Sequence, residues 1–255
     1  MTEDLKWIAC GTRDISIVTE LFLYKHICPK LSKILEIDKL NSRINDPSRW
    51  LTQERVRGYL ERAGKIPYRT EGENVLLDFI PKTTRKVLDL GTGDGRLIKL
   101  LKTRIPSAIY VAIDFSPPML RTLKRRFGSD NSVSIVQHNL DSHLPSLGYF
   151  DAVVSSLAIH HLKQERKEAL YSEIYSILKS GGVFCNFDHF ASRSLRLSQH
   201  FRRALGSQRA PNRNHEARLN MVETEFVLLK KRGFVDVDCY WKWLQFALII
   251  SFRPK

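Results

Sequence analysis

The sequence predicts an α/β protein whose mostly parallel sheet is preceded by helices. Three observations carry that expectation. Short runs rich in Val and Ile alternate with helical stretches from Lys86 onward, a glycine-rich turn follows the first run, and the last two runs lie only a few residues apart. Such alternation marks βαβ units and a parallel sheet, whereas closely spaced runs pair as an antiparallel hairpin.

The strand candidates are KVLDLG, IYVAID, VSIVQH, DAVVSS and VFCNFD, starting at Lys86, Ile109, Val133, Asp151 and Val183. Residues 95–104 and 117–127 read as the first two helices between them, the second with prolines at its start, where the missing N–H costs nothing. Residues 164–179 form the next helix. Leu170, Ile174, Ile177 and Leu178 recur there at helical spacing, and Ser180-Gly181-Gly182 is expected to end it. An irregular, arginine-rich stretch is expected over 191–217, then a helix over 219–232 and closing strands over 235–241 and 245–252. The first 85 residues belong to no βαβ unit; residues 15–26, 31–37, 52–63 and 72–80 read as helices, with a break at Asn45-Asp46-Pro47-Ser48. The expected division is a helical extension over 1–45, a helical cap over 46–85 and the α/β domain over 86–255.

Composition narrows the class. Of 255 residues, 43% are hydrophobic and 27% charged, as in ordinary globular chains, which excludes wholesale disorder. Residues 244–252 are too short an apolar run to cross a bilayer, and the opening MTEDLKW carries acids where a secretion leader would be basic. The four cysteines form no C-x-x-C pair and match no zinc spacing. Reduced thiols in a cytoplasmic setting, with no metal, are the expectation.

Lys and Arg outnumber Asp and Glu by 41 to 27, a net charge of +14. That excess is uneven: residues 1–85 and 86–190 each carry +3, and residues 191–255 carry +8. Seven arginines between Arg193 and Arg218 supply most of it. They suit a solvated loop, a lid over an anionic small-molecule acceptor, or a nucleic-acid surface. With only Phe190 and Phe201 as local aromatics for stacking, the nucleic-acid surface ranks lowest.

The chemistry concentrates at Val87-Leu88-Asp89-Leu90-Gly91-Thr92-Gly93-Asp94-Gly95. Glycines at a strand-to-helix turn admit a ligand close to the backbone. Arg96 stands where a dinucleotide fingerprint wants its third glycine, and Asp89 and Asp94 would repel a pyrophosphate but attract an ammonium. The expected ligand is therefore S-adenosylmethionine rather than NAD. Asp114, at the end of the second strand, is placed to accept from ribose hydroxyls. His138-Asn139-Leu140-Asp141 ends the third strand, and Leu157-Ala158-Ile159-His160-His161 follows the fourth, at the edge where open α/β sheets hold substrates.

These residues resemble the class I S-adenosylmethionine-dependent methyltransferases, particularly their small-molecule branch, from about Trp50 to Phe252. The resemblance implies a Rossmann-like seven-stranded sheet of order 3-2-1-4-5-7-6. It implies that Asp89 and Gly91 serve the methionine amino end, that Gly93 gives clearance, and that Asp114 holds the ribose. Phe115 would lie against adenine, Asn139 and Leu140 would flank its edge, and Leu157 would line the methyl side. Many relatives have Asp in place of Asn139; the Asn carbonyl can still accept from the adenine amino group, and Asp141 is the partner if the match slips by two. His160 and His161 are candidate general bases, and Asp188 and His189 could face the acceptor. Tyr59, Tyr68, Trp241 and Trp243 could form an aromatic wall that excludes water, with core packing the favoured reading for each. The implied reaction is methyl transfer to an O, N or C nucleophile of a small molecule. A tRNA or rRNA methyltransferase and a non-catalytic cofactor-binding protein are the alternatives.

Overall fold

A computed structural model describes residues 50–206 and 218–255, which belong to a compact unit running from Asn45 to Lys255. The expected elements at 15–26 and 31–37, the break at Asn45-Asp46-Pro47-Ser48 and the middle of the arginine-rich stretch lie outside the described residues.

Helices α1 (Gln53–Ala63) and α2 (Arg69–Asp78) come first. The Thr52 side chain caps α1 by accepting from the Arg55 N–H. Then follow β1 (Lys86–Leu90), α3 (Arg96–Arg104), β2 (Ile109–Asp114), α4 (Pro117–Phe127), β3 (Val133–Gln137), β4 (Phe150–Ser156) and a 3₁₀ turn (Ile159–His161). The chain closes with α5 (Gln164–Ile177), β5 (Leu178–His189), α6 (Leu195–Ala204), α7 (Val222–Lys231), β6 (Val235–Trp243) and β7 (Phe246–Phe252).

The seven strands form one sheet ordered β3-β2-β1-β4-β5-β7-β6. Strands β1 to β5 run parallel, with Leu88 level with Val111 on one side and Val153 on the other. Strand β7 is antiparallel to both β5 and β6, as the short connection requires. The period of two along each strand divides the core into two layers. Val87, Ala152, Cys185 and Ile250 face α2, α3 and α4, while Leu88, Val153, Phe184 and Ile249 face α5 and α7. Strand order reverses between β1 and β4, and a crevice opens beyond the carboxyl ends of strands at such a reversal.

Four expectations shift. Helix α5 ends at Ile177, because Leu178 pairs with Phe150 and opens β5; Ser180-Gly181-Gly182 falls inside that strand. The stretch 191–217 is not wholly irregular, for Ser194 caps α6 through its side chain. No residue of α6 is buried among the described residues, although its apolar residues recur at helical spacing. Helix α2 starts three residues early, at Arg69, and α7 starts at Val222 rather than 219.

Candidate functional site

The crevice is built around the β1–α3 turn. Gly91 and Gly93 sit at φ 69° and 58°, in the left-handed region. A Cβ on Gly91 would stand 2.3 Å from the Ala158 Cβ, so this glycine lets the turn pack against the segment after β4. A Cβ on Gly93 would meet nothing nearer than Met119 Sδ at 3.8 Å, leaving its α-carbon open to the crevice. Replacing Gly91 with Ala therefore combines a left-handed φ with a clash, and should destabilise the protein by about 2–4 kcal/mol in denaturant titration.

Asp89, at the end of β1, is 1% exposed and accepts a hydrogen bond from Thr92 Oγ1 at 2.6 Å. Burial pushes its carboxyl up to about 7; the Thr92 bond opposes that rise, and the nearby Asp114, Glu73 and Asp94 charges add to it. At the end of β2, Asp114 accepts from Gly93 N through Oδ2 at 2.9 Å and from Ser116 N through Oδ1 at 2.8 Å. Burial raises its pKa, and those backbone donors pull it back.

Two connected lobes share Tyr59, Gly91, Gly93 and Ser156. The apolar lobe is lined by Asp114, Phe115, Met119, Asn139 and Leu140, which end or follow β2 and β3, and by Leu157, His161 and Leu162, which follow β4. The Asn139 Oδ1 accepts from Asp141 N at 3.0 Å, whereas Asp141 lines neither lobe. Leu157 holds a left-handed φ of 58°, its N–H donating to Phe187 O at 2.8 Å. That strained residue aims the segment after β4 across the crevice.

The two histidines part company. His161 lines the apolar lobe, but His160 does not. His160 is buried behind it, with Nδ1 2.5 Å from Asp188 Oδ1 and its backbone N–H donating to Asp188 Oδ2 at 2.9 Å. Tyr59 lines both lobes, while Tyr68 packs on Trp243 at 4.8 Å and Trp241 on Phe187 at 5.6 Å, away from the crevice.

Other residues complete the lining. Trp50 and Tyr59 meet edge to face at 5.1 Å on the apolar lobe. His138 lines the same lobe, with its buried Nε2 unpartnered. Two arginines of the polar lobe belong to an ion triad around a buried carboxylate. Glu73, 0% exposed, accepts from Arg69 Nε at 2.7 Å and from Arg96 Nε at 2.8 Å, and Arg69 Nη2 reaches Ser156 Oγ at 3.2 Å. The partners Glu73 and Arg96 lie 23 residues apart, beyond the reach of local pattern.

This donor set fits S-adenosylmethionine. Asp89 is a buried carboxyl with no cation against it among the described residues, suited to an ammonium; Arg69 and Arg96 suit a carboxylate; Asp114 suits vicinal hydroxyls; and His138 offers an unmatched polar edge beside an apolar slot.

Residues 87–182 match the family model described as a methyltransferase domain. Residues 87–182 thus carry a methyltransferase domain. The sheet order is that of the Rossmann-like methyltransferase fold. An uncharacterized methyltransferase of Mycobacterium tuberculosis is 38% identical over 112 residues, 43% of this chain and 54% of that protein. The chain thus spans about half the length of the first curated relatives it matches. A carboxy-S-adenosyl-L-methionine synthase of Desulforapulum autotrophicum is 26% identical over 204 residues, 73% of this chain and 81% of that protein. Among solved structures, an O-methyltransferase family protein from Burkholderia thailandensis superposes with a TM-score of 0.61 at 17% identity, covering 87% of this chain and 71% of its own. Human N-acetylserotonin methyltransferase, in complex with S-adenosylmethionine, gives 0.59 at 18% identity over 80% and 57%. No helix among the described residues is long and apolar enough to cross a membrane.

Proposed function

We propose that this protein transfers the methyl group of S-adenosylmethionine to an O, N or C nucleophile of a small molecule. The continuity of the two lobes carries the reading. A polar lobe with Asp89, Arg69 and Arg96 runs past Gly91 and Gly93 into an apolar lobe that ends at Leu157 and His161. In this reading Asp89 and Gly91 hold the amino end, Arg69 and Arg96 face the carboxylate, and Asp114 holds the ribose. Phe115, Asn139 and Leu140 enclose the adenine, and Leu157 flanks the methyl group. Residues 46–85 serve as the cap over the 86–255 domain, supplying Trp50 and Tyr59.

The bound cofactor supplies an activated methyl group on a sulfonium. The protein's task is then to exclude water and hold the acceptor in line, which can supply about 7–11 kcal/mol of the barrier. The test is incubation with S-adenosylmethionine and a fractionated metabolite extract, followed by mass spectrometry. Formation of S-adenosylhomocysteine with a methylated product supports the reading; its absence from every fraction rejects it.

A second reading has one observation in its favour: the matches to carboxy-S-adenosyl-L-methionine synthases span more of this chain than does the 38% identical relative. Under it, the product in the same assay is a carboxylated cofactor. Product formation from tRNA or rRNA fractions alone would point instead to the arginine-rich stretch as a nucleic-acid surface.

Asp89 makes ligand binding depend on pH. Its folded value of about 7 lies above the ordinary 3.8, so the free folded protein binds the extra proton. Stability of the free protein therefore falls as pH rises from about 4 to 7. The ionised form is the one that attracts an ammonium, so affinity for S-adenosylhomocysteine should rise with pH, approaching tenfold per unit below 7 and levelling above it. Asp89→Asn should flatten that profile, weaken binding and raise the melting temperature of the free protein at pH 8. A pH-independent affinity in the parent protein would remove Asp89 from the site.

A further inference from the structure

The acceptor end of the apolar lobe has a distinct chemistry. Leu157, Ala158 and Leu162 line it together with Trp50 and Tyr59. His161 stands among them, its ring 5.9 Å from that of Trp50 and edge-on to it. Asp114 and His138, the other acid and imidazole on this lobe, belong to its adenosine end. Arg193, Arg196, Arg202 and Arg203 line neither lobe. Among the described residues an ionic acceptor would meet no opposite charge here to replace its lost water, whereas a flat neutral ring would bury itself against aromatic edges and aliphatic side chains.

His161 is supported from behind. The His160 ring lies against it at 4.0 Å, tilted by 39°. Asp188, 1% exposed, fixes His160 through both carboxylate oxygens, and Arg218 Nη1 donates to the His161 carbonyl at 2.8 Å. Among the described residues, the titratable and charged groups facing this cluster are Tyr59 of α1, His160 beside it, Asp188 and His189 of β5, Lys167 of α5, whose charge acts on Asp188, and Arg218 on the His161 carbonyl. Burial raises the Tyr59 hydroxyl pKa, so Tyr59 remains protonated and does not compete as a base.

Resting on the methyl-transfer reading above, we propose that the acceptor is a neutral ring compound bearing a weakly acidic hydroxyl, that His161 takes its proton, and that the Asp188–His160 pair positions His161. The O–H bond breaks and its proton passes to an imidazole nitrogen of His161, while the oxygen electron pair forms the O–CH₃ bond. The electron pair of the broken S–CH₃ bond stays on sulfur, and the imidazolium then releases its proton to water. His161 is the catalytic residue of this step, and Asp188 and His160 are positioning residues.

The test uses 4-nitrophenol, whose phenolate is yellow, titrated into the full-length protein saturated with S-adenosylhomocysteine at a pH below the phenol's own pKa. Calorimetry first establishes that S-adenosylhomocysteine binds; failure there would reject the methyl-transfer reading rather than this inference. The expected result is saturable growth of the phenolate band on binding. His161→Asn should abolish the band while S-adenosylhomocysteine still binds, with His161→Gln as the second variant if the first does not fold. Asp188→Asn should lower the ratio of bound phenolate to phenol about tenfold, equivalent to one pKa unit. A parent complex that fails to bind the phenol, or binds it without the band, overturns the acceptor class. An undiminished band in both His161 variants overturns the base, and an unchanged ratio in Asp188→Asn overturns the positioning pair.

Discussion

Asp114→Ala is expected to weaken binding of S-adenosylhomocysteine by at least about a hundredfold. A carboxylate accepting two ribose hydroxyls contributes about 1.5–3 kcal/mol through each such charge-assisted bond, and every 1.4 kcal/mol is tenfold in affinity. The same carboxylate also accepts from Gly93 N and Ser116 N, so its loss leaves two turn donors without their acceptor. Asp114→Asn separates the two effects, because its amide oxygen can keep one backbone donor while the negative charge is gone. Calorimetry should rank the parent above Asn and Asn above Ala, with circular dichroism showing all three folded. Equal affinity in the three proteins would take the ribose away from Asp114.

Glu73→Ala is expected to cost about 3–5 kcal/mol of stability, because it leaves buried Arg69 and half-buried Arg96 without their shared carboxylate. For a chain of this size that corresponds to a fall in melting temperature of roughly 10 °C or more. Binding should suffer as well, since both guanidinium groups line the polar lobe. The ligand can report which part is lost. S-adenosylhomocysteine carries the amino acid carboxylate, and methylthioadenosine does not. If Arg69 and Arg96 face that carboxylate, Glu73→Gln should weaken the first ligand and leave the second nearly unchanged. Equal losses for both would show that the triad supports only the fold.

What the sequence revealed and what it hid divide along chain distance. The β1–α3 turn was legible because its chemistry is local: Asp89, Gly91, Gly93 and Asp94 lie within six residues, and each glycine answers to a backbone need at its own position. Asp114 and Leu157 were legible as strand ends in a fold whose crevice lies at strand ends. The separate placements of the two histidines were not, because Asp188, which holds His160 in the interior, comes 28 residues later. The Arg69–Glu73–Arg96 triad was hidden for the same reason, and Trp50 and Tyr59 reach the crevice only because α1 packs near α4. There Ser116 Oγ donates to Trp50 O at 2.5 Å and Arg121 Nη2 to Gln53 Oε1 at 2.9 Å. The end of α5 was misplaced because Leu178 suits a helix by spacing and a strand by pairing, and its partner Phe150 decides between them.

The late arginines changed meaning most. The +8 of residues 191–255 suggested a lid for an acidic acceptor. Yet of the described arginines in that stretch only Arg218 touches the site's segment, and it does so through the His161 carbonyl. Arg193 pairs with Glu223 outside the crevice.

The most direct measurement is a calorimetric titration of the full-length protein with S-adenosylhomocysteine, run on the parent and on Asp114→Ala from pH 6 to pH 8. Saturable binding that strengthens through pH 7 in the parent, and falls at least about a hundredfold in the variant, is the predicted result. No binding, or binding of equal strength in both proteins, would contradict the assignment of this crevice as the cofactor site.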